Sequence, residues 1–161
     1  MPTGKPLPRK IAVRLADLRR HYEALEHIIE RTTEDRFVEA MRAGEPEALG
    51  RDVYPLERAF EILGNYVAEL NELGLEEAGF ASGDRPANLR LLERERVIGR
   101  ERARRWRAIL QTRNELQHEY PDVRATRVYS AAADLARDLP SYVREYAAWM
   151  RRLGFGESEG R

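Results

Sequence analysis

Every long segment of this 161-residue chain repeats its apolar residues with a helical period, and none alternates as a half-buried strand does. Ile11, Leu15, Leu18, Tyr22, Leu25 and Ile29 form a 4-3-4-3-4 stripe, which predicts a helix over 9–31. Thr32 or Thr33 can cap a shorter helix whose first turn carries Glu34 and Asp35, where negative charge suits the helix dipole. Phe37, Val38 and Met41 are its apolar side and Gly44 its end; 45–51, with Pro46 and Gly50, reads as a loop. Asp52 is the expected N-cap of the next long helix, with Pro55 in its first turn. Its stripe is Val53, Leu56, Phe60, Leu63, Val67 and Leu70, and Gly74 is the expected stop.

Residues 75–87 contain Gly79, Gly83 and Pro86 and read as a connection with room for a disordered lid or an extra turn. A short helix is expected over 88–96, carrying Leu89, Leu91 and Leu92. After Gly99 a helix over 100–119 offers Trp106, Ile109, Leu110 and Leu116 to a core. The last helix, 125–153, buries Val128, Ala132, Leu135, Leu139, Tyr142, Tyr146, Trp149 and Leu153, with a kink or break expected at Pro140. Four long amphipathic helices and two short ones predict an all-α fold, an antiparallel up-down bundle. Residues 9–153 form its single domain, between flexible tails at 1–8 and 154–161.

Composition removes several functions. Without cysteine there are no disulfides, no thiol catalysis and no cysteine metal sites, which fits a reducing cytoplasm. No apolar run approaches the roughly 18 residues of a membrane span, and residues 1–10 lack the apolar stretch of a signal peptide. The zero net charge hides an asymmetry: residues 1–84 hold 11 basic and 17 acidic side chains, net −6, and 85–161 hold 17 and 11, net +6. Between Arg85 and Arg113 stand ten arginines and three glutamates. Either this run faces an anionic partner or it is a solvated helix face.

Sites for metal or nucleotide chemistry are missing from the pattern. His21 and His27 lie far apart on one helical wheel, there is no His-Glu-x-x-His, and the glycines are isolated rather than gathered in a phosphate loop. No serine sits in a nucleophile elbow. The stretch Arg113-Asn114-Glu115-Leu116-Gln117-His118-Glu119-Tyr120, before Pro121, is different. On a wheel of roughly 100° per residue, Arg113, Gln117 and Tyr120 fall within about 60°, and Asn114 and His118 share the adjoining flank. Pro121 disfavours helical geometry at Tyr120 and places the ring at a rim.

These groups suit an RNA phosphodiester. A histidine can take the proton of a ribose 2′-hydroxyl or give one to the leaving 5′-oxygen. An arginine can grip the phosphate oxygens in a two-pronged contact and stabilise the growing charge. The arginines leading into the stretch, Arg104, Arg105 and Arg107, can track an RNA backbone. The chemistry needs no metal, thiol or cofactor. One histidine cannot serve as base and acid at once, whereas two copies across a two-fold axis can, which favours a dimeric site. The other reading is a helix-end pair in which Arg113 and His118 complement the dipole.

Arg113-Asn114-x-x-x-His118-x-Tyr120 resembles the signature of HepT-like toxins, in the HEPN superfamily of all-helical RNA-cleaving domains. The segment from Tyr54 through Arg58 to Gly64-Asn65 is similar to the family's second-helix region, and the short helix before the motif and Leu139-Pro140 in the last helix are similar too. The resemblance covers about 11–153. It implies a bundle that dimerises with its motif helices facing each other, and a composite ribonuclease site made of Arg113 and His118 with Asn114 as a supporting polar residue. It also implies a nucleotidyltransferase partner of MNT type, an antitoxin that adds AMP groups to the motif tyrosine, here Tyr120. Gly64-Asn65 replaces the commoner glycine-glutamate, and Gln117 stands where a small or apolar residue is frequent. Related bundles with similar helices act instead as non-catalytic nucleotide- or substrate-binding partners of nucleotidyltransferases, and a purely structural dimer is a third possibility.

Overall fold

The computed structural model describes residues 4–115 and 121–156, and for 113–115 and 121–124 it describes the backbone alone. Within these residues the architecture is all-α. The long helices are α1 (Arg9–Arg31), α4 (Tyr54–Glu77), α6 (Arg100–Glu115) and α7 (Pro121–Arg152); the shorter α2 (Glu34–Ala43) and α5 (Arg85–Arg94) and a single turn, α3 (Pro46–Ala48), connect them.

The expected stripes are the buried faces. Ile11, Leu18 and Leu25 of α1 close on Leu56, Phe60, Leu63 and Val67 of α4 in one core, with Leu135, Leu139 and Trp149 of α7. Pairings across the bundle fix the directions. Arg14 of α1 reaches Glu69 and His21 packs edge-on to Tyr66, so α1 and α4 are antiparallel. Arg102 of α6 meets Glu145 and Trp106 meets Asp138, so α6 and α7 are antiparallel as well. Between α4 and α7 the partners rise together: the Tyr142 hydroxyl, which donates to Asn71 Oδ1 at 2.6 Å, lies 3.4 Å from the Val67 carbonyl, the Tyr146 hydroxyl donates to the Leu70 carbonyl at 2.8 Å, and Trp149 rests on Gly74. These two helices run parallel across the diagonal of an up-down-up-down bundle. Burial pushes both phenols up from the ordinary tyrosine range, so they stay protonated and keep donating.

Several expectations need correction. Gly74 does not stop α4, which runs on to Glu77. A Cβ at position 74 would lie 2.3 Å from the Trp149 ring and 2.9 Å from the Tyr146 hydroxyl, so the glycine is there for close packing rather than for a turn. Residues 45–51 are not a loop. Pro46 opens α3, and Leu49–Val53 continue as a π-type turn into α4.

Asp52 is therefore not an N-cap. Its buried carboxylate accepts from Thr32 Oγ1 at 3.3 Å and Arg51 Nε at 3.0 Å and lies 3.8 Å from Arg36, tying the end of α1 to the start of α4. Pro140 does not break α7, which is one helix from Pro121 to Arg152 and begins with a proline, where no N–H is needed.

Other signals read as they stand: Thr33 caps α2 by accepting from the Arg36 N–H and Gly44 ends it in the left-handed region, whereas Asp84, inside the stretch expected to be a connection, caps α5 and starts it three residues earlier than expected. At the termini Lys5 N–H donates to the Gly154 carbonyl and Gly156 N–H to the Lys5 carbonyl, closing 4–8 against 154–156.

The contact at Gly74 decides the sign of a substitution. Alanine is favoured over glycine in a helix interior by about 1 kcal/mol, but overpacking against Trp149 costs about 1–3 kcal/mol. Gly74→Ala is expected to lower the urea midpoint; a raised midpoint would show that Trp149 does not rest on this helix.

Candidate functional site

Helix α6 delivers the motif, and its own sequence would hold it poorly. It is rich in arginine, and its apolar face is narrow: Ala103, Trp106, Ile109 and Leu110 are its buried residues among those described. What fastens it is Asp138 of α7, a carboxylate only 6% exposed. Asp138 Oδ2 accepts the Trp106 indole N–H at 2.5 Å, and Oδ1 lies 3.2 Å from Arg102 Nε and 3.4 Å from an Arg105 nitrogen. Arg102 also pairs with Glu145. Burial by itself would lower the Arg102 pKa; the Glu145 hydrogen bond and the charges of Asp138 and Glu145 outweigh it, and the guanidinium sits above its ordinary value. On the far side Arg107 reaches Glu93 of α5 at 3.3 Å. Charge-assisted contacts to both neighbours thus set the rotation of α6 about its axis.

With the rotation set, register places the motif. Position 113 follows Trp106 by seven residues and Ile109 by four, so the α6 backbone carries Arg113 on the face that Trp106, Ile109 and Leu110 bury. Asn114 follows Leu110 by four, on the edge of the same face. In the sequence, the helical register that is apolar through Leu110 thus continues with an arginine and an amide. His118 and Tyr120, like Leu116 and Gln117, lie outside the described residues. The chain resumes with α7, whose first turns pack on α2: Tyr129 and Phe37 rings are 5.7 Å apart, and the Tyr129 hydroxyl donates to the Thr32 carbonyl at 2.9 Å.

The arginines that sequence alone groups together are sorted by their partners. Arg105 and Arg107 are engaged by Asp138 and Glu93, while Arg104 is exposed and meets no carboxylate among the described residues. Sequence reasoning missed Asp138, Glu145 and Glu93, because nothing in an exposed-looking acidic residue marks the helix it will face. The one usable signal was Asp138 lying between Leu135 and Leu139 of the buried stripe.

Of the other histidines, His21 is held against Tyr66 and His27 is exposed, 3.8 Å from Glu30. Among the described residues no three His, Asp or Glu side chains converge as a metal ion requires. No described helix is long and apolar enough to cross a membrane.

A family model described as "Ribonuclease HepT-like" matches residues 18–146, which takes in the core helices and all of 113–120. No curated protein and no solved structure gives a match.

Removing the Asp138 carboxylate should loosen α6 first. Asp138→Ala is expected to cost about 3 kcal/mol in urea unfolding, since hydrogen bonds to charged groups contribute about 1.5–3 kcal/mol each, and to alter the near-ultraviolet signal of Trp106. A loss below about 0.5 kcal/mol, the size of an ordinary surface substitution, would refute this anchoring.

Proposed function

Because the chain belongs to the HepT-like ribonuclease family, we propose that it is the metal-independent endoribonuclease toxin of a toxin–antitoxin pair, acting on RNA in the cytoplasm as a homodimer. The observation that supports this most is the extent of the family match, which includes every position of the Arg113–Tyr120 stretch. The register of α6 adds to it. In helical register an arginine and an amide follow Trp106, Ile109 and Leu110 where aliphatic residues would continue the core, and a second copy would give them a polar partner.

In the reaction His118 of one copy takes the proton of the ribose 2′-hydroxyl. The 2′-oxygen attacks phosphorus, and the bond from phosphorus to the 5′-oxygen breaks. The second copy's histidine gives the leaving oxygen its proton, so the products are a 2′,3′-cyclic phosphate and a free 5′-hydroxyl. Arg113 holds the non-bridging oxygens in a bidentate contact and stabilises the charge that develops there. Asn114 supplies a neutral hydrogen-bonding group beside it. The antitoxin is a nucleotidyltransferase of MNT type that joins AMP to the Tyr120 hydroxyl. A phosphodiester-linked nucleotide on that phenol puts bulk and negative charge where the substrate phosphate has to sit.

Purified protein is expected to cleave RNA in the presence of EDTA. His118→Ala should slow it by about 10²–10⁴-fold, the usual contribution of a general acid–base. Equal cleavage by the variant would overturn the assignment, and RNA binding without cleavage by either protein would make the chain a non-catalytic subunit. Tyr120→Phe should keep the cleavage activity and resist adenylylation by the cognate partner. An AMP mass shift in that variant would move the modification to another residue.

A further inference from the structure

Ion pairing sorts the described arginines on α6 and at its start into two sets. Arg102 and Arg105 turn to Asp138 and Glu145, and Arg107 to Glu93; these fasten helices together. Arg96, Arg100, Arg104 and Arg152 are all exposed and meet no carboxylate among the described residues. Three of the four surround one hollow of about 520 Å³ between the α5–α6 turn and the end of α7, where Arg96, Arg100 and Arg152 stand around Gly99 and Ala148. The two carboxylates that also border it, Glu93 and Glu145, are already committed to Arg107 and Arg102. Three guanidinium groups are left without compensation at one place. Arg96 is, moreover, the single non-glycine residue with positive φ among those described, at 57°. Glycine or asparagine is the usual occupant of that position after a helix.

From this hollow a row of polar positions continues along α6, in which Arg107 is already paired with Glu93. Arg100, Arg104, Arg107, Gln111 and Asn114 recur at intervals of four, three, four and three, within about 80° of one another on the wheel. The row runs about 21 Å along the axis from Arg100 to the position of Asn114. Arg105 and Arg102 fall off it, on the side that faces α7. The flank formed by α2 and the start of α7 has the opposite balance, with Glu34, Asp35 and Glu39 against the single Arg42 around a second hollow that Thr126 borders. An anionic strand is therefore drawn to the α6 row and repelled by the α2 side.

We propose that Arg96, Arg100, Arg104 and Arg152 are a phosphate track for single-stranded RNA, holding the strand on one side of the scissile bond. The proposal rests on the ribonuclease reading above and extends it to how substrate is held. Guanidinium forks suit phosphate oxygens. No aromatic side chain of α5 or α6 is exposed beside them to stack on a base, since Trp106 is buried. The track thus supplies affinity and register without reading sequence, and choice of base is left to the cleavage site itself.

The test is the salt dependence of binding to a labelled, fully 2′-O-methylated single strand, which lacks the hydroxyl that attacks and so stays intact. Fluorescence anisotropy over a potassium chloride series is read for the native chain and for Arg100→Gln, Arg104→Gln and Arg152→Gln. Each variant is expected to bind more weakly and to lose about 0.7 from the slope of log K against log salt, the value for one phosphate contact on a single strand. Arg137→Gln, which removes an exposed arginine of α7 lying 3.5 Å from Asp134, should keep the native slope. Unchanged slopes in the three track variants would overturn the track while leaving cleavage by Arg113 and His118 untouched. Lowered slopes in a protein that cleaves no RNA would keep the track and remove the nuclease. Equally tight binding of polyglutamate of the same charge, lost in the same variants, would assign the patch to an acidic protein surface and overturn the RNA proposal.

Discussion

One buried carboxylate decides how the basic helix of this bundle sits. α6 has too little apolar surface to define its own rotation, and Asp138 defines it by accepting from Trp106 on one oxygen and facing Arg102 and Arg105 with the other. Removing a buried carboxylate from such a group would leave guanidinium and indole donors without their acceptor, which is why contacts of this kind fix an arrangement more firmly than their net contribution to stability suggests. Everything downstream on α6 follows from that rotation: which arginines are spent on structure, which remain free, and which face carries Arg113 and Asn114.

Site and scaffold are thereby coupled along the helix. Its first half is held from both sides, by α7 through Asp138 and Glu145 and by α5 through Glu93. The diagonal pair α4 and α7 gives α7 its own rigidity, since Tyr142 and Tyr146 are locked to α4 by their hydroxyls and Trp149 lies against Gly74. A group carried on such a helix is positioned by packing rather than by a loop, which suits the proposed reaction, in which a phosphate is held in line between two histidines.

Much of the architecture was legible in the sequence because it rests on period. The stripe from Ile11 to Ile29 marks α1 as it is, and Thr33 and Gly44 cap α2 by local hydrogen bonding and backbone preference that a sequence displays directly. The misreadings share a cause. Gly74 looks like a stop until Trp149, 75 residues later, is seen to need its missing side chain, and Asp52 looks like a cap until Thr32 is seen beside it. For the candidate site, the motif and its polar face could be read from spacing, and so could the surplus of arginine. Which arginines are free could not, because Glu93, Asp138 and Glu145 become partners only through tertiary packing.

The central claim is that two copies meet across the Arg113–His118 face to make one site. Light scattering during dilution, with RNA cleavage assayed on the same samples, addresses it most directly. The account predicts the mass of two chains at working concentration and a specific activity that falls in step with the dimer fraction. A chain that cleaves RNA at full rate as a monomer would contradict it.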